Sequence, residues 1–116
     1  MEKLGLSPAV VHAINPKVIY GRLSGFGQQE SELRDRAGHD LTYLAVTGVL
    51  DLFHGAPPAN VLADFAAGST HLFSQILQAR LLKKPCTVID CSLAHSTLYL
   101  SQLALHREPA DLIAKL

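Results

Sequence analysis

Two residues in this sequence have the type and setting for proton chemistry. His39 lies between Gly38 and Asp40 at the start of an apolar run, where a polar side chain can face a cleft without disturbing a core. Imidazole, with an ordinary pKa near 6.5, accepts and returns protons close to neutrality. Asp64 falls early in a long helical pattern, and Ala67 and Gly68, one turn on, lack bulk. A carboxylate with open space beside it can approach a substrate carbon. Plainer readings exist for both: His39-Asp40 can simply begin a helix, and Asp64 can simply meet the positive end of its own helix. Spacing alone leaves these alternatives open.

Other chemistries have weaker footing. There is no zinc-ligand spacing, phosphate-binding loop or nucleophile elbow, and Gly25 and Gly27 lack a third glycine in dinucleotide register. His12, His54, His71, His95 and His106 fall in separate segments with no pair at i, i+4, so no metal site is expected. Cys86 and Cys91 are the only 2 cysteines. Within a strand their odd offset puts the thiols on opposite faces, which excludes a bridge; both are expected as small core residues of a protein kept in a reducing compartment.

The elements that must position His39 and Asp64 follow from periodicity and breakers. Ser7-Pro8 starts a short helix that Asn15-Pro16 stops. Lys17–Ser24 reads as a strand running into the Ser24–Gly27 turn, and residues 28–37 as a solvated polar insert. Leu41, Leu44, Ala45, Val49, Leu52 and Phe53 recur at helical spacing and predict one buried helix from Asp40 to Phe53, with Gly48 its weak point. Asn60 is placed to cap a long helix from Val61 to Lys84, whose Arg80, Lys83 and Lys84 suit a helix C-terminus. A second strand over Cys86–Asp90 and a final helix with Leu93, Leu98, Leu100, Leu103 and Leu105 complete the order, before Pro109 and a short tail. Strands alternating with helices predict an α/β layer of parallel strands, Rossmann-like but partial, because two strands make an incomplete sheet.

Composition narrows the partners. The 116 residues carry 10 Lys plus Arg against 10 Asp plus Glu, so there is no basic field for nucleic acid. No apolar run approaches the roughly 18 residues of a membrane span, and the N-terminus lacks the pattern of a secretory signal. At 48% hydrophobic residues the chain is apolar for one small domain, which predicts greasy surface meant for a partner.

Longer motifs carry a resemblance. Asn15-Pro-Lys-Val-Ile-Tyr-Gly-Arg-Leu-Ser-Gly-Phe-Gly-Gln28, then Arg36-Ala-Gly-His-Asp-Leu-Thr-Tyr-Leu-Ala45, then Pro58-Ala-Asn-Val-Leu-Ala-Asp-Phe-Ala-Ala-Gly68, occur in one order and continue weakly through Val88-Ile-Asp90 and Thr97-Leu-Tyr-Leu-Ser101. Over nearly its whole length the chain resembles the central part of the family III coenzyme A transferases, and within them the racemase branch. Residues 1–116 then read as a single partial domain of that family's large domain.

The resemblance implies an acyl-CoA thioester substrate with no separate cofactor, coenzyme A being part of the substrate. It implies inversion at C2 of 2-methylacyl-CoA thioesters, with His39 and Asp64 as the two acid/base groups and Asp40 as a supporting carboxylate. Gly38, His39, Asp40, Leu41, Thr42 and Tyr43 correspond to the thioester-binding segment. The transferase branch, with Asp64 as nucleophile, is the enzymatic alternative; a truncated chain that serves only in association is the non-enzymatic one. Partners implied are a second copy or a longer family member. Ala114-Lys115-Leu116 resembles a peroxisomal address, implying a peroxisome or mitochondrion in a eukaryote and the cytoplasm in a bacterium.

Overall fold

The computed structural model describes residues 1–105 except 30, 57, 59 and 60, with side chains described through residue 102. Asn60, His106, Pro109 and the Ala114-Lys115-Leu116 end lie outside the described residues. After a short 3-10 turn, Glu2–Leu4, comes helix α1, Pro8–Ile14. Ser7 caps it as its position predicts: the side-chain oxygen accepts the Val10 N–H at 3.4 Å, and Pro8 sits where a missing N–H costs nothing.

Strand β1, Tyr20–Ser24, pairs in parallel with β2, Val88–Ser92, in unbroken register from Tyr20 opposite Val88 to Ser24 opposite Ser92. The expected helix-rich α/β layer with two parallel strands is therefore the observed architecture. Both strands are displaced from the apolar runs that predict them. Lys17–Ile19 remain outside β1, and β2 begins two residues beyond Cys86, because Cys86 sits at φ 51 behind Pro85 and cannot enter an extended ladder. Cys86 is consequently exposed while Cys91 is buried, which corrects the expectation that both are core residues.

The expected helix from Asp40 to Phe53 is two pieces. Helix α2, Asp40–Val46, ends at Thr47-Gly48, and a 3-10 helix, Val49–Phe53, follows. Gly48 adopts φ 78, a left-handed backbone that stops α-helical propagation. The break rotates the apolar face, so Tyr43, Leu44 and Val49 are buried whereas Leu41, Ala45 and Leu52 are exposed, against the expectation of one continuous buried stripe. The second expected helix also divides, into a π-helix, Leu62–Ser69, and α3, Thr70–Leu82. Hydroxyls stabilise the wide turn: Ser69 Oγ donates to the Asp64 carbonyl at 2.7 Å and Thr70 Oγ1 to that of Phe65 at 3.2 Å. Lys83, at φ 51, ends α3, with Arg80 in the last turn. Helix α4, Leu93–Leu105, follows β2 directly.

Tyr43, Leu44, Val49, Ala63 and Ala94 form the buried cluster that joins α2, the 3-10 helix, the π-helix and α4. The last two lie in close contact, since a Cβ added at Gly68 would run into Leu93. On the sheet, a Cβ at Gly21 would stand 3.3 Å from Leu72 of α3. Leu23 and Val88 stay 42% and 45% exposed, so this parallel pair, unlike a complete parallel sheet, is not covered on both faces. Residues 31–37 form the expected solvated turn, while Gln28 is tied to the sheet by its N–H, which donates to Asp90 Oδ2 at 2.9 Å. Among the described residues, no helix is long and apolar enough to cross a membrane.

Candidate active site

His39 occupies the N-cap of α2 with an extended backbone, φ −129 and ψ 172. Its carbonyl accepts the N–H groups of Thr42 at 2.8 Å and Tyr43 at 3.2 Å, and its own N–H donates to Thr42 Oγ1 at 3.3 Å. The backbone is thus fixed from both sides while the residue remains exposed. Starting a helix and presenting an imidazole to solvent are compatible at this position.

Asp40, the first residue of α2, reaches across to the π-helix. Its Oδ1 accepts the backbone N–H of Asp64 at 2.9 Å. That N–H belongs to the first turn of a helix and has no partner within it, so Asp40 serves as a cap supplied from another element. The bond joins residues 24 apart in sequence and brings the two carboxyl-bearing segments together.

Asp64 has an unusual setting for a carboxylate. Its Oδ1 is buried and, among the described residues, has no hydrogen-bond partner. Burial raises its pKa above the ordinary 3.8, the negative charge of Asp40 raises it further, and His39 acts in the opposite sense. A carboxylate early in a helix is ordinarily favoured by the helix dipole. Here desolvation, then the charge of Asp40, act in the opposite sense, and Asp64 holds its proton more tightly than an exposed aspartate. His39 and Asp64 thus lie within electrostatic reach of one another, with the Asp40 carboxylate acting on Asp64 in the opposite sense to His39.

Tyr43 braces the loop that presents His39. Its hydroxyl donates to the Gly38 carbonyl at 2.8 Å, and its ring meets Phe26 edge to face at 5.3 Å. Glycine is required where the chain approaches the ring: a Cβ at Gly25 would come within 2.5–2.8 Å of Tyr43, and one at Gly38 within 2.7–3.0 Å. Burial, then the charge on Asp64, raises the pKa of this phenol. Of the segment Gly38–Tyr43, then, Asp40 and Tyr43 are linked to Asp64 by a bond and by charge respectively, whereas Leu41 and Thr42 are exposed.

Sequence reasoning missed two features beside these residues. Ser69, whose hydroxyl holds the Asp64 carbonyl, bonds five residues back, outside the ordinary helical i−4 pattern. His71 has no histidine partner at helical spacing, yet its Nδ1 lies 3.0 Å from Ser96 Oγ, a pairing across 25 residues that no local spacing reveals.

Residues 1–112 match the model of CoA-transferase family III, and the chain belongs to that family. It is 43% identical over 109 residues to the α-methylacyl-CoA racemase of Homo sapiens, an alignment covering 87% of this chain and 28% of that protein. The racemase of Mus musculus is 41% identical over 120 residues, covering 97% and 31% respectively. Among solved structures, a hypothetical protein from Mycobacterium tuberculosis superposes with a TM-score of 0.75 at 29% identity, covering 95% of this chain and 33% of that one. A CAIB/BAIF family protein from Brucella suis gives 0.67 at 27% identity, covering 93% and 32%. The chain therefore spans about three-tenths of the length of these relatives.

Proposed function

We propose that this chain carries the paired acid/base groups of an enzyme that inverts C2 of 2-methylacyl-CoA thioesters. One group removes the C2 proton, the electron pair moves onto the thioester oxygen as an enolate, and the other group returns a proton to the opposite face of C2. The single observation that carries this reading is the setting of Asp64: a carboxyl with a buried oxygen unpartnered among the described residues and a raised pKa, next to a carboxylate and within electrostatic reach of an exposed histidine. Two-base inversion needs one group ready to accept and one ready to donate at the same pH, and raising an aspartate's pKa toward that of histidine meets this need. The similarity to racemases supports the substrate class.

Deuterium wash-in at C2 of a 2-methylacyl-CoA in heavy water tests the proposal. Exchange that disappears in both His39→Ala and Asp64→Asn supports it. Transfer of CoA between acids that survives His39→Ala and is lost in Asp64→Asn would instead favour the transferase reading, with Asp64 as nucleophile. A folded chain that exchanges nothing would leave association as its role. For that role we infer pairing with a second copy or a longer relative, based on the exposure of Phe65, Phe73 and Leu81. Elution from a sizing column as a 12.5 kDa monomer would oppose it.

A further inference from the structure

We propose that Gln75, His71, Ser96 and Cys91 form a one-directional hydrogen-bond relay that holds the π-helical turn carrying Asp64, which makes His71 and Ser96 positioning residues for that carboxyl group. The role of Asp64 rests on the function proposed above; the relay itself does not.

Gln75 Nε2 stands 2.9 Å from His71 Nε2, and His71 Nδ1 stands 3.0 Å from Ser96 Oγ. Ser96 Oγ is 3.5 Å from Cys91 Sγ, which is 3.5 Å from the Gly68 carbonyl. Donor chemistry sets the direction. An amide nitrogen only donates, so His71 Nε2 accepts, and the proton of the neutral ring sits on Nδ1 and is given to Ser96. The Ser96 hydroxyl then turns its hydrogen to Cys91, and the thiol donates to Gly68. Tyr99 stacks on the imidazole with centroids 5.9 Å apart at 29°, which fixes the ring plane.

The end of this chain of bonds locates its effect. Gly68 lies four residues after Asp64 in the same π-helix, and the next residue, Ser69, donates to the Asp64 carbonyl. Helix widening of this kind exposes carbonyls to partners other than the helix's own N–H groups. Ser96 and Cys91 are each 2% exposed, so these two must find their partners inside the protein, and a satisfied buried network specifies one arrangement. Packing alone would be served as well by alanine at Ser96.

Long-range 1H–15N NMR of the full chain at neutral pH reads the His71 tautomer directly. The expected result is a proton on Nδ1, the form that is minor for a free histidine side chain; a proton on Nε2 would overturn the proposal. The second readout is the carboxyl titration of Asp64, followed by 13C NMR in Ser96→Ala and in Gln75→Ala. Gln75 is only half-buried, so that variant decides the matter if Ser96→Ala does not fold. Titration of Asp64 shifted toward ordinary carboxylate values, together with a changed His71 tautomer, is expected. An unshifted Asp64 in folded variants would eliminate the positioning role. Neither readout uses a substrate, so a chain that fails to exchange deuterium counts against the proposed function and leaves the relay to be judged by these spectra.

Discussion

The backbone N–H of Asp64 donates to Asp40 Oδ1 at 2.9 Å, while the Asp64 carboxyl keeps a buried oxygen that has no partner among the described residues. One aspartate therefore satisfies the main chain of the other and, by its charge, makes the other's side chain a weaker acid.

Replacing Asp40 separates these two effects. Asp40→Ala leaves a helix-terminal N–H unpaired, at a cost of about 1–3 kcal/mol. For a domain of this size that corresponds to a melting temperature lower by roughly 4–8 °C for each kcal/mol. Asp40→Asn retains the acceptor and should recover most of the loss. Both variants should lower the pKa of Asp64, because both remove the charge; thermal melts and carboxyl NMR report the two effects independently.

The raised pKa of Asp64 makes stability depend on pH with a defined sign. The native state binds this proton more tightly than the unfolded chain, so the associated stability is complete below the ordinary carboxylate range. It is lost as pH rises through the raised pKa. The difference in melting temperature between Asp64→Asn and the unaltered chain should therefore grow in favour of the variant from acid to neutral pH. A gap that stays constant would mean that the carboxyl is not desolvated in solution.

The approach of Gly25 and Gly38 to Tyr43 predicts an overpacking penalty. Gly25→Ala and Gly38→Ala should each destabilise by about 1–3 kcal/mol, because the aromatic ring is held by the Gly38 carbonyl and by Phe26 and cannot easily withdraw. Adding Tyr43→Leu should make the glycine substitutions cheaper. Denaturant unfolding of the four-member cycle measures this coupling; additive effects would mean that the ring and glycines do not meet.

Cys86 and Cys91 should react as two distinct populations with a thiol-specific aromatic disulfide. The exposed Cys86 should be modified promptly in the native protein, whereas Cys91, buried and bonded to Ser96 and Gly68, should react only on unfolding. Peptide mapping after brief labelling identifies the site, and equal modification of both would contradict the packing of β2 described above.

The parallel pairing and the helix-rich layer were legible because their signals are local or nearly so. Ser7-Pro8 and Asn15-Pro16 bracket α1, and two β-rich runs separated by helical patterns imply parallel strands. Where sequence reasoning failed, a backbone state overrode a side-chain pattern. The period from Leu41 to Phe53 is helical, yet Gly48 at φ 78 divides it; likewise Cys86 at φ 51 postpones β2. The π-helix leaves no mark in hydrophobic spacing, since Leu62–Ser69 continues an apolar helical pattern and its widening depends on the hydroxyls of Ser69 and Thr70. His39, Asp40 and Asp64 were legible as types in suggestive settings. The bond between Asp40 and Asp64 was not, because it depends on how two helices meet.

The strand register has a consequence for how the chain reaches this state. Tyr20 faces Val88, a separation of 68 residues, with α2, the 3-10 helix Val49–Phe53, the π-helix and α3 enclosed in the loop. Parallel pairing offers no tight hairpin from which to grow, so the entropy of closing that loop must be met before the first strand bond forms. Helical segments assemble on the microsecond scale, and the two strands join only once collapse has carried their ends together. The ladder is thus a late contact in folding, and the chain spends that interval with two β-rich edges available to other molecules.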